Sequence, residues 1–199
     1  MVTHTPTRAL VALAVLVALP ACSSGEPGGD AGEEEFITQV NVMLTPTGGG
    51  AAQMFTLNYD EEGVLTGTTG QVTLTPGLTY GGEVELLDTI NNEDITREIE
   101  GEAEEHLFRY TLAPSSAGTV TITDREEDYD AEDSDGDGDP DDNNGNFAVG
   151  LQFELAVSPT ATGTATMTGL LYHFNDGPKT SSTATSDEID VEFEVPLQF

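Results

Sequence analysis

The stretch that decides the fold is "QVNVMLTPTGGG", residues 39–50. Its apolar residues Val40, Val42 and Leu44 stand at every second position, which is the side-chain period of a β-strand. The PTGGG that follows supplies residues typical of a turn. The stretch therefore predicts a half-buried strand that ends in a turn.

The same alternation recurs along the chain. In the fourth run, for example, Val84 and Leu86 share a face opposite Glu83 and Glu85. About nine short runs, separated by clusters of Gly, Pro, Asn and Asp, predict an all-β domain: an antiparallel β-sandwich, immunoglobulin-like or similar. The runs after the first lie at residues 55–59, 72–74, 80–86, 108–112, 120–122, 147–157, 165–174 and 189–195.

One segment departs from the period of two. In "NNEDITREIEGEAEEH", residues 91–106, apolar residues recur four positions apart, beginning with Ile95 and Ile99. Asp94 stands just before them, where an N-cap residue is expected, and acidic residues follow in the first turn. The segment predicts one short helix from Ile95 to about Glu105.

The N-terminus has the pattern of an export signal. In "MVTHTPTRALVALAVLVALPAC", residues 1–22, Arg8 precedes an apolar run that ends at Leu19, well short of the roughly 20 residues that span a bilayer. The final LPAC is similar to the bacterial lipobox, whose cysteine becomes the lipidated first residue of the mature chain. We therefore expect a signal peptide over residues 1–21 and a lipid on Cys22. The alternative is an ordinary secretory signal with a cysteine there by chance.

Cys22 is the only cysteine of the chain, so disulfides within the chain, catalytic thiols and zinc–cysteine sites are excluded. Residues 22–35 are polar and glycine-rich and are expected to form a lipidated, flexible tether. Residues 36–199 are then expected to form a single β-sandwich domain. By analogy with lipoprotein sorting in well-studied bacteria, Ser23 favours the outer membrane, on its periplasmic side or at the cell surface.

The chain is strongly acidic: 37 Asp and Glu residues face five Lys and Arg residues, for a net charge of −32. Such a field repels phosphate backbones, so nucleic acid is not an expected partner, and membrane contact is expected through the lipid anchor alone. Outside residues 124–142 the acids are typical of a surface that aids solubility or reflects a saline habitat.

The densest acidic stretch is "DSDGDGDPDDNN", residues 133–144, within a predicted insertion loop over residues 124–146. Acids at alternate positions of a tight loop can aim several oxygens at one calcium ion. The stretch resembles the aspartate-rich calcium repeats of extracellular proteins such as the thrombospondin type 3 class, and it lacks the bidentate Glu of an EF-hand. A solvated loop without a cation is the alternative. The expected calcium ligands are Asp133, Asp135, Asp137, Asp139, Asp141 and Asn144.

Two histidines remain after the signal peptide, His106 and His173. His106 is in phase with Phe108, and His173 is in phase with Leu171, on apolar strand faces. A histidine in such a position is usually a hydrogen-bonded core residue, and no HExxH pair is present. The other interpretation is a shared metal or ligand site. Its candidate residues are Glu102, Glu105, His106 and His173.

Several stretches resemble, in order, a family of small bacterial lipoproteins best represented in Bacteroidota and named type 1 periplasmic binding fold superfamily proteins. They are FITQVNVMLTPTGGG, LTYGGEVELLD, EDITREIEGEAEEHLFRY, NGNFAVGL and TGTATMTGLLYHFNDGPK with SDEIDVEFEV, and they span most of residues 36–199. The EEH and HxxxxPK segments are the most specific, and both mature histidines fall within them, which favours a functional site there. The resemblance implies no molecular function, and it does not imply calcium because relatives are shorter at the acidic loop.

The family name implies an α/β fold with parallel strands. Such a fold requires alternating helices and a much longer chain. About nine strands with one short helix predict an all-β domain instead, so the pattern of the residues is preferred to the name.

Two functions are expected from the sequence. The first is an outer-membrane-anchored binding protein that captures a metal or small ligand for uptake, with an outer-membrane receptor or another envelope protein as its partner. The second is a calcium-stabilised envelope module that contacts other proteins and transports nothing. The sequence has no nucleophile elbow, phosphate loop or zinc signature, so a non-catalytic protein is expected.

Overall fold

The structure, a computed structural model, describes residues 35–129, 146–175 and 177–199. These residues form an all-β sandwich with one α-helix, α1 (Ile95–Gly101), which confirms the predicted fold class. The strands in this part of the chain are β1 (Gln39–Pro46), β2 (Gln53–Tyr59), β3 (Leu65–Gly70), β4 (Val72–Thr73), β5 (Thr79–Leu87), β6 (His106–Ala113), β7 (Gly118–Ile122), β8 (Gln152–Val157), β9 (Thr164–His173) and β10 (Glu188–Gln198).

The strands form two sheets. The larger has the order β3-β2-β1-β5-β8-β7, and the smaller has the order β4-β10-β9-β6. Neighbouring strands are antiparallel, except that the two-residue β4 runs parallel to the end of β10. The first residue of β6 and the last residue of β9 therefore meet at one end of the smaller sheet.

A single apolar core lies between the sheets and explains the alternation in the sequence. Val40, Val42 and Leu44 of β1 are fully buried, and each such side chain contributes about 1.5–3 kcal/mol relative to an exposed one. Across the core, the rings of Tyr110 on β6 and Phe153 on β8 lie 4.6 Å apart. The inward-facing residues of both sheets thus pack into one cluster.

The strand that the sequence pattern misses is β3. All of its residues are exposed, so no apolar alternation marks it. It pairs along β2 at the edge of the larger sheet, and main-chain hydrogen bonds of this kind do not depend on apolar side chains. Each of the nine predicted runs overlaps a strand, but residues 147–151 of the seventh run lie outside β8.

The helix is shorter than predicted. It begins at Ile95, as expected, but ends at Gly101 instead of about Glu105, since glycine is a poor helix former. Asp94 occupies the N-cap position without a side-chain cap hydrogen bond. Its carboxylate lies 3.1 Å from Arg97 instead.

Both ends of the predicted acidic insertion loop are packed onto the domain. Asp124 accepts a hydrogen bond from the backbone N–H of Gly150 at 2.9 Å, and Glu126 accepts one from Phe147 at 2.7 Å. These carboxylates are only 3% and 8% exposed, so they belong to the folded base of the loop. All the predicted calcium ligands, from Asp133 to Asn144, lie outside the described residues.

Residues 1–34 also lie outside the described part of the chain, and with them the predicted signal peptide, the lipidated Cys22 and almost all of the tether. Within the residues that are described, no helix combines the length and apolar character needed to cross a bilayer.

Candidate metal centre

Strands β6 and β9 bring the two histidines together. His106 is the first residue of β6 and His173 the last of β9, and the antiparallel register places them directly opposite each other. Their ring centroids lie 4.4 Å apart, with the rings tilted by 35°. The two residues are 0% and 1% exposed. Two imidazoles therefore share a buried position at one end of the smaller sheet.

The tautomer of His106 follows from its hydrogen bond. Nδ1 lies 3.1 Å from the backbone carbonyl oxygen of Glu102, and because a carbonyl only accepts, Nδ1–H is the donor. In the neutral ring the free lone pair is then on Nε2. Metal-binding imidazoles are oriented in this way, with one ring nitrogen donating to a carbonyl and the other left for the ion.

A β-bulge in β10 places a buried carboxylate next to the two histidine rings. The pairing of β10 with β9 shifts between Ile189 and Val191, which makes Asp190 the extra residue and re-aims its side chain. Its Oδ2 lies 3.6 Å from Nε2 of His106, and its Oδ1 lies 3.4 Å from Nδ1 of His173. The Asp190 side chain, 1% exposed, thus faces both rings.

The turn between α1 and β6 supplies two further carboxylates. The N–H of Glu105 donates to the carbonyl of Glu102 at 2.9 Å, which closes the turn. Glu105 Oε2 lies 4.0 Å from Nε2 of His173. One carboxylate oxygen of Glu102 and one ring nitrogen from each histidine lie within 4.8 Å of one another.

A fourth acidic residue, Glu35, approaches from the segment that precedes β1. Its Oε1 lies 3.8 Å from Nε2 of His106, and its side chain is 9% exposed. The centre is therefore assembled from the start of the domain, the α1–β6 turn and the ends of three strands.

A buried ion pair contacts the α1–β6 turn. Lys179 Nζ lies 2.7 Å from Glu126 Oε1 and also donates to the carbonyl of Ala103. The N–H of Lys179 donates to the carbonyl of Glu104 at 2.9 Å. Lys179, 1% exposed, thus joins the base of the acidic loop to the turn that carries Glu102 and Glu105.

In the described part of the chain, every buried side-chain nitrogen or oxygen without a hydrogen-bond partner lies in this centre. Leaving one such group unpaired costs about 1–3 kcal/mol, and the large majority are paired in native proteins. Two pairs of these atoms face each other at 3.6 and 4.0 Å, close to the roughly 3–4 Å between two ligands of one ion. The atoms are Nε2 of His106, both ring nitrogens of His173, Oε2 of Glu105 and Oδ2 of Asp190.

Burial and charge shift the pKa values of these groups. Burial lowers the pKa of His106 to about 4 despite the attraction of Asp190. The Asp190 carboxylate raises the pKa of His173. Burial, together with neighbouring carboxylates, raises the pKa of Glu35 to about 8, and burial likewise raises the pKa of Glu102. Burial thus disfavours the charged forms of Glu35 and Glu102.

The ligand types indicate which metal would fit. Imidazole nitrogen suits Zn²⁺ and other divalent transition metals, and two histidines with one glutamate form a known zinc ligand set. Calcium takes oxygen ligands. His106, His173 and Glu102 are the residues that would hold such an ion, with Asp190 and Glu105 beside the rings.

The four candidate ligand residues singled out from the sequence all lie in this centre. Three of the four ring nitrogens of the two histidines make no hydrogen bond in the geometric sense, although Nδ1 of His173 faces Oδ1 of Asp190 at 3.4 Å. The four residues are Glu102, Glu105, His106 and His173.

Sequence reasoning missed Asp190 and Glu35. Counting back from Val191 in steps of two would bury Ile189 and expose Asp190, but the bulge reverses this order and leaves Ile189 42% exposed. No residue type in the stretch marks the bulge. For Glu35 the only signal was its place as the last of three consecutive acids before the first strand.

Comparison with protein-family models, with curated proteins and with solved structures finds no match to this chain. The interpretation of the centre therefore rests on its own geometry.

Proposed function

We propose that this protein binds a divalent transition-metal ion, with Zn²⁺ as the reference ion, through His106, His173 and Glu102. Two observations carry the proposal: buried nitrogens and oxygens of this centre have no hydrogen-bond partner, and one oxygen of Glu102 lies within 4.8 Å of one ring nitrogen from each histidine. A bound cation would satisfy these atoms and offset the repulsion among the surrounding carboxylates.

The proposed setting is the bacterial envelope. The signal-peptide pattern and the lipobox-like LPAC before Cys22 support a lipid anchor in the outer membrane. In this setting the protein would serve metal uptake as an accessory, with an outer-membrane receptor or another envelope protein as partner. The proposal includes membership of the lipoprotein family that the sequence resembles.

Binding is proposed in preference to catalysis. A catalytic zinc site keeps a coordination position open to water or substrate. Here both histidines are at most 1% exposed, and carboxylates surround the point where a substrate would need to enter. This burial supports a role in holding an ion.

The test is a Zn²⁺ competition titration against a chromophoric chelator, performed on the mature chain with excess calcium to occupy the aspartate-rich stretch. His106→Gln and His173→Gln should each lower the Zn²⁺ affinity by roughly 100-fold or more, since loss of even a supporting group costs 10–100-fold. Glu61→Gln removes one charge at an exposed position and serves as the control. Wild-type protein that binds no Zn²⁺, or histidine variants that match the control, would refute the proposal.

A second candidate function is a calcium-stabilised interaction module. The observation that favours it is the folded base of the acidic loop, where the N–H of Glu126 donates to the carbonyl of Phe147 at 3.1 Å. The described residues on either side of the aspartate-rich stretch are therefore hydrogen-bonded to each other.

Calcium affinity at this loop is expected on the order of 10⁻⁴ to 10⁻³ M, as in extracellular modules. A calcium concentration a few to ten times the dissociation constant should add roughly 0.6–1.4 kcal/mol to the free energy of unfolding. Asp135→Ala combined with Asp137→Ala should abolish this gain and leave Zn²⁺ binding intact. A wild-type melting temperature that is indifferent to calcium would exclude the calcium module.

A further inference from the structure

Glu35 is held in place differently from the rest of the metal centre. The two histidines and the aspartate lie in paired strands, and the other glutamates lie in a hydrogen-bonded turn. Among the described residues, the backbone of Glu35 makes only a local hydrogen bond, from the N–H of Ile37 at 3.1 Å. The first bond to the sheet comes later, from the N–H of Thr38 to the carbonyl of Leu87 at 3.0 Å.

The side chain of Glu35 is nevertheless buried. It is only 9% exposed, whereas the next residue, Phe36, is 39% exposed. Its carboxylate faces Nε2 of His106, which has no hydrogen-bond partner. Burial of a carboxylate is costly unless it is paired or bound to a cation. A cation shared with His106 would stabilise the charged form of this buried carboxyl group.

We propose that Glu35 is the closing ligand of the metal centre: it binds the ion last, leaves it first, and thereby sets the rate of metal exchange. The inference rests on the proposed function and adds the route by which the ion enters and leaves. Because residues 35–37 make few backbone hydrogen bonds to the described part of the chain, we expect them to open at a lower free energy than the paired strands.

Opening at Glu35 leaves the histidines in position. His106 and His173 remain fixed by the β6–β9 ladder, so the ion keeps its nitrogen ligands while one coordination position becomes free. An incoming chelating group can occupy that position before the other bonds break. A centre of this kind suits an ion that is passed on to another molecule.

The experiment is stopped-flow transfer of Zn²⁺ from the loaded mature chain to excess chelator. Glu35→Gln keeps the shape of the side chain and removes its charge, and Glu61→Gln removes the same charge at an exposed site. Release from Glu35→Gln should be roughly 10–100-fold faster than from wild type, while Glu61→Gln should match wild type. The affinity of Glu35→Gln should fall by about the same factor as its release rate rises.

Hydrogen exchange provides a second readout. Zn²⁺ should increase the protection of the amides of Ile37 and Thr38 in wild type but not in Glu35→Gln. If wild type binds Zn²⁺ and Glu35→Gln releases it at the rate of the control, the inference is overturned and the proposed function stands. If wild type binds no Zn²⁺, both the proposed function and the inference about Glu35 are refuted.

Discussion

Asp190 links the two imidazoles, because each of its oxygens faces a different ring. With an ion bound to His173, this carboxylate would orient the ring and raise the basicity of its metal-binding nitrogen, as carboxylates do behind histidine ligands. A residue on the outer face of a regular strand could not reach this position, so the role of Asp190 depends on the bulge.

Asp190→Asn should lower Zn²⁺ affinity by roughly 10–100-fold, since the amide keeps the shape but loses the charge behind the histidine. Asp187→Asn makes the same chemical change at an exposed position and should bind Zn²⁺ like wild type. Calorimetric titration measures both. Equal affinities for the two variants would show that Asp190 has no part in the centre.

Lys179 is the other buried charge on which the centre depends, through the turn above it. Lys179→Met leaves Glu126 buried without its cation and should lower the free energy of unfolding by about 3–5 kcal/mol in urea denaturation. Arg97→Met breaks the exposed pair with Asp94 and should cost under about 1 kcal/mol. Comparable losses of unfolding free energy in the two variants would show that the buried Lys179–Glu126 pair contributes no more to stability than an exposed pair.

The contribution of Lys179 to the free energy of unfolding is expected to depend on pH. Burial lowers the pKa of Lys179 in the folded protein below its usual 10.5. At pH values between this lowered pKa and 10.5, the unfolded chain therefore binds more protons than the folded one. The contribution of Lys179 to stability therefore rises with pH in this window. The difference in unfolding free energy between wild type and Lys179→Met should widen as pH approaches 10.5, and a difference that narrows would contradict the lowered pKa.

At the scale of the elements, each sheet places a phenylalanine over a glycine on the neighbouring strand. Phe193 of β10 pairs with Gly169 of β9, and Phe153 of β8 pairs with Gly82 of β5. A Cβ on Gly169 would lie 2.4 Å from the Phe193 ring, and one on Gly82 would lie 2.2 Å from the Phe153 ring. The glycines therefore make room for two of the large buried rings of the core, one in each sheet.

Gly169→Val should destabilise the domain by about 1–3 kcal/mol, because the added side chain forces Phe193 from its position. Gly67→Val on the exposed β3 has open space around it and should change stability by no more than about 0.5 kcal/mol. Thermal unfolding distinguishes the two. A Gly169→Val protein as stable as Gly67→Val would show that the ring moves without cost.

The sequence predicted elements well where one face is buried and poorly elsewhere. Alternation located the nine runs because an apolar core enforces a period of two. It missed β3, whose residues are all exposed and whose pairing with β2 needs no apolar side chains. It missed Asp190 because a bulge changes the phase of a strand without a residue type that marks it. The two histidines, Glu102 and Glu105 were recognised as candidates, but the positions of Asp190 and Glu35 depend on tertiary contacts.

At the scale of the whole molecule, the proposed ion would join segments that are distant in sequence. The start of the domain, the α1–β6 turn and strands β6, β9 and β10 all contribute to the centre. Metal binding to the folded state alone would add about 2.7 kcal/mol of stability at a free Zn²⁺ concentration 100 times the dissociation constant. In a chain of net charge −32, the ion would also reduce repulsion where carboxylates are buried.

X-ray absorption spectroscopy of the Zn²⁺-loaded mature chain tests the proposed metal centre most directly, because it separates a histidine-containing centre from the all-oxygen aspartate loop. The expected spectrum shows imidazole scattering from two histidines, with nitrogen and oxygen ligands at about 2.0–2.2 Å. The same measurement on His106→Gln combined with His173→Gln should lose the imidazole signal. A wild-type spectrum with oxygen ligands alone would contradict the metal centre proposed for His106 and His173.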